Sequence, residues 1–172
     1  MIASRGDAPA PCGGEGDRAI SRMNTPPDGL RAAYEATSYH VPDTPVGPLT
    51  IRCGCITEEL DRLLDVAGSM TWAFVSAANP GSVRLDPSEN LRRHQALLHH
   101  LRRHALPCHP GVGIGDDGSW PAEESVLVLG LDETAALSLG RTFGQRAVVV
   151  GERGRPARLA WITPDETGLA RR

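Results

Sequence analysis

Residues 71–101 read TWAFVSAANPGSVRLDPSENLRRHQALLHHL, and the pattern changes from strand to helix within them. Residues 71–77 are mostly apolar, aromatic or β-branched, which is typical of a buried strand. Residues 78–82 (ANPGS) are turn-forming and end that strand. Residues 86–89 (DPSE) then combine an acidic N-cap, a proline in the first helical position and a glutamate in the third. We therefore predict a strand, a turn and a helix that ends near residue 105.

Regular patterns extend this unit toward the N-terminus. Residues 34–41 and 49–53 alternate polar and apolar side chains and predict two strands. Residues 57–67 carry apolar side chains at helical spacing and predict a helix that stops before Gly68. The second strand, this helix and the strand at 71–77 together predict a parallel, right-handed strand-helix-strand unit.

The C-terminal half contains further regular segments and one loop. Residues 126–131 (VLVLGL) are a continuous apolar run, which predicts a strand in the centre of a sheet. Residues 132–143 predict a third helix, and residues 147–162 predict a hairpin of two strands. The glycine-rich residues 110–118 predict a loop. We expect a single α/β (or α+β) domain with a mixed sheet of about five or six strands and about three helices.

The composition limits the class of protein. The chain has 172 residues, of which 40% are hydrophobic and 23% charged, and its net charge is -3. These values are ordinary for a soluble globular domain, and no basic excess predicts DNA binding. No apolar run approaches the roughly 18 residues of a membrane span. We expect no DNA partner, no membrane association and a cytoplasmic location in which the four cysteines stay reduced.

The two ends of the chain differ in composition from its middle. Residues 1–29 are rich in Gly, Pro, Ala and Asp without apolar periodicity, so we expect a disordered leader. Residues 30–163 carry all the regular patterns and form the predicted domain. Residues 164–172 are polar, and we expect them to form a loose C-terminal tail.

Several short motifs occur together and in chain order. They are Tyr34 and Tyr39, AANPGS at 77–82, EN at 89–90 with Arg93, Trp120 with EES at 123–125, and FGQ at 143–145 with Ala147. Over about residues 34–162 the set resembles the bacterial domain-of-unknown-function family 3293. The resemblance implies no known activity, and it marks six positions: Asn79, Glu89, Asn90, Trp120, Glu124 and Gln145. Residues 75–79 are also similar to the strand-plus-asparagine motif of macrodomains, which bind ADP-ribose, but only Gly81 stands where those domains use a glycine run.

The turn after the strand at 71–77 is the first candidate for a ligand site. Asn79 and Ser82 follow the carboxyl end of that strand, and ligands bind outside the carboxyl ends of strands in open α/β sheets. The alternative is that both residues serve only to form the turn.

The start of the following helix adds three polar side chains to this candidate. Glu89, Asn90 and Arg93 share one face of its first turns, where free backbone N–H groups and the helix dipole favour a phosphate or a carboxylate. The alternatives are that Glu89 completes the helix cap and that Glu89 and Arg93 form a solvated ion pair.

Trp120 and Glu124, together with the adjacent Glu123, form a second candidate, with an aromatic wall and carboxylates suited to acid/base chemistry. The alternative is that Trp120 only covers the start of a strand. Whether these residues meet Asn79 depends on strand direction. If the strands at 71–77 and 126–131 are antiparallel, the two candidates converge on one cleft, whereas parallel strands would place them at opposite ends of the sheet.

His94 is the other catalytic candidate, because it lies one helical turn beyond Asn90 and could act as a general base. The alternative is a buried histidine with a structural role. His100 and His104 are spaced to share a metal, but neither they nor the cysteines match a known metal-binding pattern. We predict no metal site.

Together these residues predict a cleft for a small phosphate-bearing or nucleotide-like ligand. Its binding residues would be Asn79, Ser82, Glu89, Asn90, Arg93, Trp120 and Gln145, with Glu124 or His94 as the acid/base if the protein is an enzyme. The alternative function is a non-catalytic interaction module whose Arg/His-rich helix at 88–105 docks a protein or an RNA. The cofactor, the reaction and the oligomeric state stay open.

Overall fold

The computed structural model describes residues 28–163. The tail predicted at 164–172 lies outside these residues, and so does the predicted leader apart from residues 28 and 29. Those two residues begin helix α1 (Asp28–Glu35), which the sequence patterns do not predict. The strand predicted at 34–41 therefore starts later, at Thr37.

The described residues form a single domain that combines helices and strands, as predicted. It contains four α-helices and seven strands, one helix and at least one strand more than expected. After α1 the helices are α2 (Glu58–Ala67), α3 (Pro87–Arg103) and α4 (Glu133–Thr142), with a short 3-10 turn at Pro80–Ser82. The strands are β1 (Thr37–Val41), β2 (Leu49–Ile51), β3 (Thr71–Ser76), β4 (Cys108–Gly115), β5 (Glu123–Leu129), β6 (Ala147–Glu152) and β7 (Arg158–Trp161).

The helix ends follow local chemistry that the sequence predicts. The Asp86 side chain caps α3 by accepting a hydrogen bond from the backbone N–H of Ser88 at 2.8 Å. The Asp132 side chain caps α4 in the same way, with the N–H of Ala135 at 2.8 Å. Gly68 ends α2 in the left-handed region, at φ 63°.

All seven strands belong to one sheet in the order β2-β1-β4-β5-β3-β6-β7. Each neighbouring pair is antiparallel, so the prediction of a mixed sheet is wrong. β5 is the fourth strand of seven, which confirms its predicted central place. The predicted parallel strand-helix-strand unit is wrong, because three strands separate β2 from β3, and β3 pairs with β5 and β6 instead.

The loop predicted at 110–118 is also wrong, since most of it is β4. Glycine is depleted in strands because it packs no side chain, so the composition favours a loop. However, Gly111, Gly113 and Gly115 are spaced by two and share one face of the strand. A Cβ on Gly111 would lie 2.7 Å from Cε2 of Phe74 and 2.8 Å from the carbonyl oxygen of His40. Glycine is therefore needed there for the ring of Phe74 to cross β4.

The sheet curls until its two edge regions meet. The backbone N–H of Gly54, just after β2, donates to the carbonyl of Ala157, just before β7, at 2.8 Å. The N–H of Ala157 donates in turn to the carbonyl of Cys55 at 3.0 Å. This bridge is the one parallel contact in the sheet between residues 28 and 163. The curl gives the sheet an inner and an outer face.

Each face of the sheet carries its own apolar core. On the inner face, Leu60, Leu63 and Leu64 of α2 join a buried cluster with side chains of the strands. On the outer face, α3 and α4 cover the sheet through residues such as Leu97 and Leu139. The α2 leucines pack with one end of the inner face, and the other end opens into a cavity.

Candidate functional site

A cavity of about 560 Å³ lies on the inner face of the curled sheet. Its strand-borne lining includes Tyr39 of β1, Phe74 of β3, Gly113 of β4, Ser125 of β5 and Val149 of β6. Successive side chains of a strand point to opposite faces, and these residues all belong to the inner set. The volume is within the range of small-molecule sites in proteins.

Aromatic side chains form much of the cavity wall. The rings of Tyr39 and Phe74 meet edge to face, with centroids 5.2 Å apart. Tyr34 lines the cavity from α1, and its ring packs against Trp161 of β7 at 5.5 Å. Burial raises the pKa of both tyrosines, although a hydrogen bond with Ser82 partly opposes the shift at Tyr34. Both phenols therefore stay protonated at neutral pH.

Helix α1 forms part of the cavity lining. Leu30 and Ala33 line the cavity from this helix. The Tyr34 hydroxyl lies 3.2 Å from Oγ of Ser82 on the turn after β3, and the Tyr39 hydroxyl donates to the carbonyl of Tyr34 at 3.0 Å. The missed sequence signal for this helix is the spacing of Leu30, Ala33 and Tyr34, which share one helical face.

The main polar group of the cavity is the carboxylate of Glu123. Its Oε1 accepts hydrogen bonds from Nδ2 of Asn79 at 2.6 Å and from the indole Nε1 of Trp120 at 2.8 Å. Strands β3 and β5 are antiparallel, so the turn after β3 and the segment before β5 converge, as the sequence predicts for that orientation.

Glu123 holds the place that the sequence interpretation gave to Glu124. The Glu124 side chain is exposed on the outer face. Its backbone carbonyl contacts a cavity residue, by accepting a hydrogen bond from Oγ of Ser76 at 3.0 Å. The reason is the two-residue period of β5, which places Glu123 with the inward-facing Ser125 and Leu127. That period, counted back from the buried run at 125–129, could have identified Glu123.

Asn79 connects the cavity to the start of α3. Its side chain is 6% exposed, and its backbone is left-handed at φ 46°. Its Oδ1 accepts from Nδ2 of Asn90 and from the backbone N–H of Leu85, both at 2.9 Å. The backbone N–H of Asn79 donates to Oδ1 of Asn90 at 2.9 Å. Asn79 lines the cavity, whereas Asn90 lies behind it and fixes the turn.

Arg93 and Gln145 hold the same turn from its other side. The Arg93 guanidinium donates from Nε to the carbonyl of Ala77 at 2.6 Å and from Nη2 to that of Phe143 at 2.5 Å. Gln145 donates from Nε2 to the carbonyl of Ala78 at 2.9 Å and also lines the cavity.

The expected pair of Glu89 with Arg93 does not form. Glu89 instead forms an exposed ion pair with Arg92, the residue that precedes Arg93 on α3. The side chain of Arg93 turns toward the backbone of the β3–α3 turn, where two carbonyls take its donors.

The proposed general base His94 is half-buried on α3, against the outer face of the sheet. Within residues 28–163 its Nδ1 is the one buried side-chain nitrogen or oxygen without a hydrogen-bond partner. Of the residues singled out from sequence, the cavity brings together Asn79, Ser82, Trp120 and Gln145. The others lie outside its lining: Glu89, Asn90, Arg93, His94 and Glu124.

The charged groups in the lining are all acidic. They are Asp116, Asp117 and Glu123, and no Arg, Lys or His is among the lining residues. Asp116 pairs with Arg52 at 2.5 Å, and this hydrogen bond lowers the pKa of Asp116. The backbone N–H of Ser119 lowers the pKa of Asp117 in the same way. Neither Asp117 nor Glu123 forms an ion pair among the described residues.

A second depression of about 940 Å³ runs along β7 and the start of α4. Its lining includes Glu133 and Arg158, which pair with each other at the surface. Because such charges satisfy one another and few aromatic side chains are present, this depression is the weaker candidate for a ligand site.

No helix between residues 28 and 163 is long and apolar enough to cross a membrane. In the same range, no three His, Cys, Asp or Glu side chains gather in a way that could hold a metal ion.

No curated protein and no solved structure matches this chain. A family model, described as a protein of unknown function (DUF3293), matches residues 75–148. That segment runs from β3 into β6, and it includes Asn79, Trp120, Glu123 and Gln145, the polar residues at one end of the cavity. This match supports the resemblance to the DUF3293 family that the sequence motifs indicate.

Proposed function

We propose that this protein binds a small, ring-containing molecule in the cavity of the curled sheet. The observation that carries the proposal is an aromatic-walled cavity of about 560 Å³ with one carboxylate fixed inside it. Binding sites for small molecules combine a mainly apolar lining with a few oriented polar groups in this way.

The glycines of β4 support this function because they keep the cavity open. Protein interiors are normally packed to high density, so an unfilled inner face has to be built by the sequence. Gly113 and Gly115 face the cavity, and the nearest atoms to an added Cβ would be 3.7 Å away at both positions. Side chains could fit there, and their absence leaves room for a ligand.

The charges of the lining narrow the ligand that the sequence predicts. A phosphate would need cationic or N–H donors that face it. The lining side chains carry no cation, and the donors of Arg93 are directed to backbone carbonyls. We therefore retain a small-molecule site but propose a ligand without a phosphate group.

Titration of the ¹⁵N-labelled protein with indole, a neutral ring compound, tests this function. We expect the backbone amides of cavity residues such as Gly113 and Ser125 to shift in the NMR spectrum. Gly113→Leu should abolish these shifts, because the leucine side chain occupies the cavity. Arg102→Ala, on the exposed face of α3, should leave them intact. Unchanged cavity amides in the wild type, or shifts that persist in Gly113→Leu, would refute the proposal.

The interaction module remains the second candidate, favoured by one observation. Arg102 and Arg103 at the end of α3 are exposed and form no ion pair among the described residues. If this face docks an acidic protein or an RNA, Arg102→Ala should weaken that complex, while Gly113→Leu should not. The two variants therefore separate the two functions.

A further inference from the structure

We infer that the ligand of this cavity is an organic cation, such as an amine or an amidine, held by the free oxygen of Glu123. This inference rests on the proposed function and adds the chemical class of the ligand.

One oxygen of the Glu123 carboxylate accepts two hydrogen bonds, and the other accepts none among the described residues. Both hydrogen bonds that this carboxylate accepts within residues 28–163 go to Oε1, from Asn79 and Trp120. Oε2 has no partner in that range. Among the described residues, Nδ1 of His94 is the one side-chain nitrogen or oxygen that is both buried and without a hydrogen-bond partner. Since Oε2 of Glu123 also has no partner, it must be in contact with solvent. The geometry therefore leaves an accessible, fixed acceptor beside the cavity.

The charge of Glu123 is not balanced by a nearby arginine within residues 28–163. The two donors to Glu123 are neutral, so no cationic side chain in that range balances its charge. A ligand that displaces water from Oε2 would have to supply a counter-charge to offset the lost hydration. Three arginines of this end of the molecule are directed elsewhere. Arg84 donates to the carbonyl of Ser119 at 2.5 Å, and Arg146 to that of Gly81 at 2.7 Å, while Arg93 is held by the carbonyls described above. A bound cation would supply the missing charge.

Aromatic rings line the cavity that contains Glu123. Faces of Tyr, Phe and Trp rings attract cations, most strongly where water is excluded. Tyr34, Tyr39 and Phe74 surround the cavity interior. Trp120 already has a guanidinium on its ring, that of Arg84 at 4.7 Å from the centroid. An aromatic wall beside a carboxylate is the combination that recognises ammonium and amidinium groups.

The remaining acidic groups argue against an anionic ligand. Asp117 lines the same cavity as Glu123, and an anion would meet these two like charges without an opposing cation in the lining. Asp116, the third acidic residue of the lining, is already paired with Arg52. A neutral ligand could enter, but it would leave the charge of Glu123 unbalanced.

Three probes that share one ring test the inference: benzamidine (cationic), benzamide (neutral) and benzoate (anionic). Their dissociation constants would be measured on the full chain by NMR titration of the cavity amides. We expect benzamidine to bind about ten-fold more tightly than benzamide, the difference that a charge-assisted hydrogen bond provides, and benzoate to bind most weakly. Gly113→Leu should lose all three probes, which locates the binding in the cavity.

Glu123→Gln and Glu124→Gln are the matched variants, because they remove neighbouring charges on opposite faces of β5. The first should abolish the preference for benzamidine over benzamide, and the second should retain it. The wild-type series decides the inference even if Glu123→Gln does not fold. Equal binding of benzamide and benzamidine in the cavity would overturn the inference and leave the proposed function standing. If no probe shifts the cavity amides, both fall.

Discussion

Replacing Gly111 by alanine should destabilise the protein, whereas the same replacement at Gly113 should not. The added Cβ at Gly111 would lie 2.7 Å from the ring of Phe74 and 2.8 Å from the carbonyl oxygen of His40. Because the carbonyl belongs to the neighbouring strand, β1 or the ring has to move, and overpacking of this kind costs about 1–3 kcal/mol.

At Gly113 the nearest atoms to the added Cβ are in Tyr39 at 3.7 Å and Thr37 at 3.8 Å, which are ordinary contacts. Alanine also loses less conformational entropy on folding than glycine, so this variant should gain up to about 1 kcal/mol. The two variants should therefore differ by roughly 1–4 kcal/mol in the free energy of unfolding.

Urea unfolding followed by tryptophan fluorescence measures this difference, since Trp72 is 2% exposed in the folded protein. The wild type and both variants should unfold with the same dependence on urea and differ only in midpoint. Equal midpoints for the two variants, or a lower midpoint for Gly113→Ala, would mean that the glycines of β4 do not face the cavity as described.

Three further predictions concern the turn after β3 and the buried thiol. Asn79→Ala should lower the free energy of unfolding, measured in urea, by about 2–4 kcal/mol, because it leaves the N–H of Leu85 and the side chain of Asn90 without their acceptor. A loss below about 0.5 kcal/mol would contradict this prediction. Arg93→Ala should cost about 1–3 kcal/mol, since two carbonyls lose their donors, whereas Arg92→Ala, which breaks an exposed pair, should cost less than about 0.5 kcal/mol; similar losses would refute the structural role of Arg93. Burial raises the pKa of the Cys53 thiol to about 11, so this thiol should stabilise the fold below pH 9 and lose that effect as the pH rises toward 11. In Cys53→Ser this part of the loss of stability at alkaline pH should be absent. A pH profile of stability that is the same in Cys53→Ser and the wild type would contradict this prediction.

Local chemistry explains which parts of the fold could be predicted from sequence. The start of α3 depends on Asp86, Pro87 and Ser88, which are adjacent in the chain. The central place of β5 follows from a continuous apolar run that both faces of a sheet must cover. Such features need no knowledge of distant residues.

The features that the sequence did not predict depend on partners far along the chain. Gly111 belongs in a strand because Phe74 and His40 pack against it. Arg93 faces the carbonyls of Ala77 and Phe143, which are 16 and 50 residues away. From sequence alone, an arginine at the start of a helix suggests an anion site. The structure shows instead that two backbone carbonyls accept the hydrogen bonds of Arg93.

The choice of Glu124 over Glu123 shows how a small shift in strand register changes a predicted site. Two adjacent glutamates precede the buried run of β5, and only one of them can face inward. The buried Ser125 settles which one, because it shares the face of Glu123. The expectation that antiparallel strands would bring together the turn after β3 and the segment before β5 is correct, since β3 and β5 are antiparallel and bring Asn79 to Glu123.

A crystal structure of the protein soaked with benzamidine would test the central claim most directly. We predict density for the ring between Tyr34 and Phe74, with the amidinium about 3 Å from Oε2 of Glu123. A ring bound elsewhere, such as on the exposed face of α3, or an inner face filled by protein side chains, would contradict the claim that this fold is built around a ligand cavity.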